Sequence, residues 1–229
     1  MATIPDTTGD KLDKLCCLCI GITGGSGSGK TTFTGLLEQR LTDLCPAVLH
    51  QDRYFRDWLD VPEAEREARR TANHPDALAW PAFLAQFAAL RRGEAVQEPA
   101  PGTRANARSQ GTATVGPSAV LIVEGLFALW HPVVREHLDL RIYMDAPDDE
   151  RALRRMLRDV ERGGSLERAA AWYRRDVLPN FAQYTGASRQ SAHLVIPWID
   201  RNEVAVAVVA DWVREELARR SIPSIPAAT

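Results

Sequence analysis

Gly24-Gly25-Ser26-Gly27-Ser28-Gly29-Lys30-Thr31 fits the pattern G-x-x-x-x-G-K-[ST], a phosphate-binding loop. The apolar run Leu15 to Ile22 precedes it and has the length and β-branched ending of a buried parallel strand. After it, Thr32 to Leu41 carries apolar side chains at helical spacing. Strand, loop and helix form the context the motif requires. Glycines let the backbone curl so that successive N–H groups face phosphate oxygens. The helix start adds its unpaired N–H groups and its dipole. Lys30 is expected to reach the terminal phosphates, and the Thr31 hydroxyl to sit on Mg²⁺. The expected nucleotide contacts are therefore Gly24, Gly25, Ser26, Gly27, Ser28, Gly29, Lys30, Thr31 and Thr32. A nucleoside triphosphate with magnesium is implied. Kinase, GTPase and motor are not yet distinguished.

Outward from the loop, Ala47-Val48-Leu49-His50 reads as a second strand ending at Gln51-Asp52. Ligands of open α/β sheets gather at the carboxyl ends of strands, so Asp52 stands where chemistry is expected. A turn or N-cap aspartate is the plainer reading. Ala119 to Val123 is a clear buried strand that delivers Glu124-Gly125. A carboxylate there, opposite the loop, is the usual second anchor for Mg²⁺. Leu140 to Asp145 and Ala192 to Pro197 read as further strands. Strands alternating with helices predict an α/β P-loop NTPase fold, a parallel sheet with helices on both faces.

Asp148 to Gly164 is the second informative stretch. Arg151, Arg155, Arg158 and Arg162 fall at steps of four, three and four, on one helical face. Asp148, Asp149 and Glu150 occupy the first turn, where the helix dipole favours them. The stripe is either a solvated face or a small arginine-rich lid over transferring phosphates, about residues 148–165.

The remaining segments organise around these. Residues 57–72 are densely charged and read as a solvated helix or mobile segment. Asn73-His74-Pro75-Asp76 is a turn. Ala77 to Leu90 is helical in pattern, with Trp80, Phe83 and Phe87 as core and Gly93 as its end. Residues 97–118 predict a mobile excursion of short strands and loops. Residues 128–138 predict a short helix, Leu166 to Gln183 a helix punctuated by Pro179, and Glu203 to Arg219 a last helix. Residues 1–14 predict a flexible leader and 221–229 a disordered tail. Residues 15–220 form the expected domain.

The chain has 229 residues, 45% hydrophobic and 25% charged, with a net charge of -2. That balance suits a globular domain and gives no reason to expect a nucleic-acid partner. No apolar run approaches bilayer length, so no membrane partner and a cytoplasmic location are expected. Cys16, Cys17, Cys19 and Cys45 lack metal spacing and read as core residues.

Several separated motifs now agree. The chain resembles the uridine kinase and phosphoribulokinase group of P-loop kinases, most closely uridine–cytidine kinases, from about residue 19 to residue 215. The matching pieces are Gly24 to Thr32, Gln51 to Arg56, Asn73 to Ala77, Val123-Glu124-Gly125, Arg154 to Gly163, Tyr173 with Val177, Pro179 and Tyr184, and Val195-Ile196-Pro197. The resemblance implies that Asp52 engages the acceptor hydroxyl and that Thr31 and Glu124 form the magnesium pair. It implies that Lys30, Arg155, Arg158 and Arg162 act on phosphates. It places Tyr54, Asn73, His74, Arg108 and Trp172 on the substrate side. ATP and Mg²⁺ are the implied cofactors, a small-molecule hydroxyl acceptor the implied partner, and a homo-oligomer remains open.

Departures cluster on the substrate side. Pro101 and Asn106 stand where uridine kinases carry a base-holding tyrosine and histidine. Asn73 replaces an acidic residue, Trp172 a glutamine and His193 an aspartate, and the lid run is one residue short. A site without its hydrogen-bonding partners discriminates poorly. The expected activity is γ-phosphoryl transfer from ATP to a hydroxyl, with uridine or cytidine the family default. Another nucleoside, a sugar or sugar phosphate, or a vitamin-like alcohol is the alternative acceptor. For a phosphorylated acceptor, Arg53, Arg56 and Arg104 are candidate contacts. A non-catalytic ATP-binding regulator is the competing class. A GTPase switch lacks its Asn-Lys-x-Asp-type motif.

Overall fold

Strands buried on both faces need continuous apolar runs, and their alternate side chains must then serve two different cores. The computed structural model describes residues 17–109 and 111–220. The strands are β1 (Leu18–Thr23), β2 (Ala47–His50), β3 (Val96–Glu98), β4 (Ala113–Val115), β5 (Val120–Glu124), β6 (Leu140–Asp145) and β7 (Leu194–Pro197). Five of them form a parallel sheet in the order β2-β5-β1-β6-β7. β3 and β4 pair antiparallel as a separate ribbon.

The helices are α1 (Lys30–Arg40), α2 (Glu63–Arg69), α3 (Trp80–Arg91), α4 (Arg104–Ala107), α5 (Pro132–Glu136), α6 (Asp148–Glu161), α7 (Leu166–Trp172), α8 (Leu178–Phe181) and α9 (Glu203–Arg220). Leu121 and Val123 of β5 face a cluster with Phe83, Phe87 and Leu90 of α3 and Val134 of α5. Val120 and Ile122 face the opposite cluster, with Phe33 and Leu37 of α1 and Val209 and Val213 of α9. Each such buried side chain contributes about 1.5–3 kcal/mol. The expected α/β architecture, with helices on both faces, is therefore present.

Several boundaries differ from the sequence reading. α3 starts at Trp80 because Pro81 belongs in a first turn, and Pro75–Ala77 forms its own 3₁₀ turn. The expected helix over 166–183 continues to Gly186 as α7, a wide π turn at Tyr173–Val177, α8, and a second π turn at Ala182–Gly186. Pro179 lacks an N–H, and wide turns are one way a helix continues past that loss. Cys17 and Cys19 are core residues as expected, but Cys45 is exposed, because it sits in a left-handed turn (φ 45°) between α1 and β2. The excursion over 97–118 holds β4 and α4. Cys16 and the expectations for residues 1–14 and 221–229 lie outside the described residues. No described helix is long and apolar enough to cross a membrane.

Candidate active site

Parallel pairing brings the carboxyl ends of three strands together. Ile22 of β1 and His50 of β2 both register against Glu124 of β5. The phosphate loop leaves β1, Asp52 follows β2, and Glu124 ends β5. These ends open into a cleft of about 1290 Å³.

Gly27 and Gly29 take left-handed φ values of 83° and 86°, and α1 begins at Lys30. Only glycine adopts that backbone readily. A Cβ on Gly27 would also meet the carbonyl oxygen of Arg151 at 2.6 Å. α6 is packed that closely on the loop. Lys30 is buried, and its Nζ donates to the Gly25 carbonyl at 3.0 Å. Burial pushes the Lys30 pKa down, while the charges of Glu124 and Asp52 oppose that fall.

The Thr31 hydroxyl donates to Glu124 Oε1 at 3.4 Å, and His50 Nδ1 lies 3.0 Å from Glu124 Oε2. Burial raises the Glu124 pKa, but the His50 bond and the Lys30 charge outweigh it, so the carboxyl sits below its ordinary range. Asp52 is the second residue of a 3₁₀ turn (Gln51–Tyr54) and lines the cleft. Although it is open to cleft solvent, the surrounding walls raise its pKa, and the Glu124 charge adds to that. An elevated carboxylate beside a cleft can accept a proton.

Helix α6 supplies one wall of the cleft. Arg155, Arg158 and Arg162 line the cleft, and Arg158 Nη2 reaches Ser26 Oγ at 3.4 Å. Nε atoms of Arg155 and Arg158 are buried without hydrogen-bond acceptors. Desolvation lowers the Arg155 pKa. Two arginines fix the helix itself. Arg154 donates to the Gly27 and Trp198 carbonyls at 3.4 and 3.0 Å, and also to the Ile199 carbonyl. Arg151 is buried, bonds the Ala146 carbonyl at 3.2 Å, and lies 3.9 Å over the Phe181 ring. Arg155 Nε lies 3.6 Å and Arg158 Nη2 3.5 Å from Asp159. The helix arginines therefore divide by partner, Arg151 and Arg154 holding backbone carbonyls and Arg155 and Arg158 sharing one carboxylate, which spacing alone does not show.

The expected residues Ser26, Gly27, Gly29, Lys30, Thr31, Thr32, Asp52, Glu124, Arg155, Arg158, Arg162 and Trp172 share this cleft. Gly24, Gly25 and Ser28 are buried behind the loop. Four expected substrate residues stand elsewhere. Tyr54 is core, stacked edge-on to Phe83, with its hydroxyl bonded to Glu98 at 2.9 Å and to Gln86. Asn73 is buried and donates to Asp176 Oδ2 at 2.6 Å. His74 Nδ1 accepts from Asp76 N at 3.1 Å, and its Nε2 lies 2.7 Å from the Tyr184 hydroxyl. Arg108 is exposed at the end of α4 and outside the cleft wall. Of the basic candidates, Arg53 is held by Glu98 at 2.7 Å and Arg56 by Asp60, whereas Arg104 lines the cleft. His50, Arg70 and Trp198 are site neighbours that no motif marked.

The model of the phosphoribulokinase / uridine kinase family matches residues 19–205. A uridine kinase of Clostridium perfringens is 33% identical over 201 residues, 87% of this chain and 96% of that one. A uridine kinase of Limosilactobacillus reuteri is 34% identical over 202 residues, 88% and 92% of the two chains. Phosphoribulokinase from Rhodobacter spheroides superposes with a TM-score of 0.59 over 80% of this chain and 71% of that one; at 15% identity this likeness concerns the fold. Family match, sheet order and cleft agree: the chain belongs to the phosphoribulokinase / uridine kinase family, as a phosphotransferase acting on a hydroxyl group.

Proposed function

We propose that the chain is a Mg²⁺-dependent kinase that moves the γ-phosphoryl group of ATP to a hydroxyl of a small molecule. The carrying observation is that Lys30, Thr31, Asp52 and Glu124 meet in one cleft beneath Arg155, Arg158 and Arg162.

Thr31 and Glu124 offer hard oxygen donors of the kind Mg²⁺ takes. Among the described residues no group of three or more His, Cys, Asp or Glu side chains forms a protein cage. That suits an ion sharing its remaining positions with phosphates and water. Bound there, the ion would offset charge on the transferring phosphates.

Lys30 has one move to make, from the Gly25 carbonyl to a phosphate oxygen. Arg155 and Arg158, which lie 3.6 and 3.5 Å from the shared carboxylate of Asp159, offset charge on the transferring group. Asp52 orients the acceptor hydroxyl and takes its proton as the new O–P bond forms. The bond from γ-phosphorus to the bridging oxygen breaks with its electron pair, ADP leaves, and Asp52 returns its proton to solvent. Most of the acceleration comes from positioning and fixed charge.

Uridine or cytidine is the acceptor suggested by the relatives' names. ADP formation by the purified protein with Mg-ATP, across nucleosides, sugars, sugar phosphates and hydroxy acids, tests the reading. Saturable, acceptor-dependent ADP release that is lost in Asp52→Asn is expected. Tight ATP binding without transfer to any acceptor would overturn it.

A further inference from the structure

The arginines around the acceptor half of the cleft are unequal. Near Asp52, Arg53 pairs with Glu98 at 2.7 Å, Arg69 with Glu65 at 2.8 Å, Arg175 with Glu67 at 3.4 Å, and Arg56 with Asp60. The local carboxylates are thereby occupied. Arg70 and Arg104 both line the cleft, and neither has an ion-pair or side-chain hydrogen-bond partner among the described residues.

Arg104 is firmly rooted. Its N–H donates to the Phe55 carbonyl at 2.7 Å. Buried Thr103 caps its helix by accepting from Asn106 N at 3.2 Å, and bonds the Ala100 carbonyl at 2.6 Å. The guanidinium lies 5.1 Å over the Phe55 ring. Arg70, at the end of α2, lies 5.9 Å from the Trp172 ring centre, across which Arg175 also stacks at 4.7 Å. Aromatic faces hold both heads in place without neutralising them. Burial lowers the Arg104 pKa, and the charges of Arg70 and then Arg108 lower it further, while Asp52 opposes them. The pair therefore repels itself in a half-buried place, within electrostatic reach of Asp52.

The nucleotide has other partners. Arg158 reaches the phosphate loop at Ser26, and Arg154 is spent on backbone carbonyls. A neutral acceptor would leave the repulsion between Arg70 and Arg104 offset only in part, by Asp52. An oxyanion would offset both, and guanidinium forks bind carboxylate and phosphate alike.

We propose that the phosphoryl acceptor is anionic, a hydroxylated molecule whose phosphate or carboxylate group sits between Arg70 and Arg104 while its hydroxyl meets Asp52. This rests on the kinase reading above.

The test compares matched acceptors with Mg-ATP: ribose 5-phosphate and ribulose 5-phosphate against ribose and ribulose, glycerate against glycerol, and uridine and cytidine. ATP binding is measured separately by titration calorimetry. Saturable ADP formation with one anionic arm is expected, at about 10²-fold or more the kcat/KM of its neutral match, as loss of two charge-assisted contacts implies. The phosphate and carboxylate arms identify which oxyanion is read. Arg104→Gln and Arg70→Gln should each raise KM for that acceptor about tenfold or more, with ATP affinity unchanged and Arg→Lys recovering part of the loss. Arg70, at a helix end, remains informative if Arg104→Gln folds poorly. Saturable use of uridine or cytidine, unaffected by Arg104→Gln and Arg70→Gln, would overturn the anionic acceptor and leave the kinase reading standing. ATP binding with no turnover on any acceptor would overturn the kinase reading, and this inference with it.

Discussion

His50 Nδ1 lies 3.0 Å from Glu124 Oε2. The two residues are direct register partners at the ends of neighbouring parallel strands. One face of the Glu124 carboxylate is thus turned to an imidazole and the other to the Thr31 hydroxyl. The bond to Glu124 raises the His50 pKa against the opposing effect of burial. The pair thus favours the protonated form of the imidazole beside Glu124.

A pH dependence follows from that pair. His50 has a folded pKa above its unfolded value, about 6.5. Its contribution to stability is complete below that value and is lost as pH rises through the higher folded value. Without metal, the melting temperature should decline as pH rises above about 6.5. Apparent Mg²⁺ affinity should rise over the same window as the competing proton leaves. His50→Gln should flatten both trends in a thermal-shift titration with MgCl₂. Unchanged slopes would show that the His50–Glu124 pair controls neither trend.

Asp52→Asn should reduce kcat by about 10²–10⁴, the usual range for a lost general base. ATP affinity should stay within threefold, since phosphate contacts are untouched. The Asp52 pKa is raised in the fold, so its ionised form costs stability, and the cost grows as pH climbs through the folded value. The variant should therefore melt higher at pH 7 than the parent. Full activity in the variant would sink the assignment.

Arg158→Ala should lower kcat by about 10²-fold with little change in acceptor KM, because its cleft-lining guanidinium serves charge that grows during transfer. Arg154→Ala should behave differently. It unties α6 from Gly27 and Trp198, so the loss should appear as a higher ATP KM and easier proteolysis of the lid. Identical kinetic profiles would contradict the division of roles between Arg154 and Arg158.

Asp176 holds one structural clip. It is buried and accepts from the Thr71 hydroxyl, from Ala72 N at 3.0 Å and from Asn73 Nδ2 at 2.6 Å. Asp176→Ala would strand those donors and should cost about 3 kcal/mol in urea unfolding. Asn73→Ala should likewise lower stability by about 1 kcal/mol while leaving acceptor KM within twofold, since Asn73 points at Asp176 and away from the cleft. A large KM change in stable Asn73→Ala would return it to the substrate site.

The phosphate loop, Asp52 at the end of an apolar run, Glu124 at the end of another, and the arginine spacing of α6 were all legible in the chain. They are local patterns, and backbone conformation, strand burial and helical periodicity are local consequences of residue type. Parallel pairing then had few ways to bring the three strand ends together. What the sequence could not decide was which of several chemically equal side chains stays free. Arg53, Arg56 and Arg104 look alike on paper, as do Arg151 and Arg158. Only tertiary packing assigned Glu98 to Arg53, Asp60 to Arg56 and Phe181 to Arg151, leaving Arg104 and Arg158 in the cleft. Tyr54, Asn73 and His74 sit in a matching motif, yet Gln86, Glu98, Asp176 and Tyr184 occupy their polar atoms. A side chain's availability depends on partners far away in sequence, because hydrogen bonds and ion pairs are settled by distance in space.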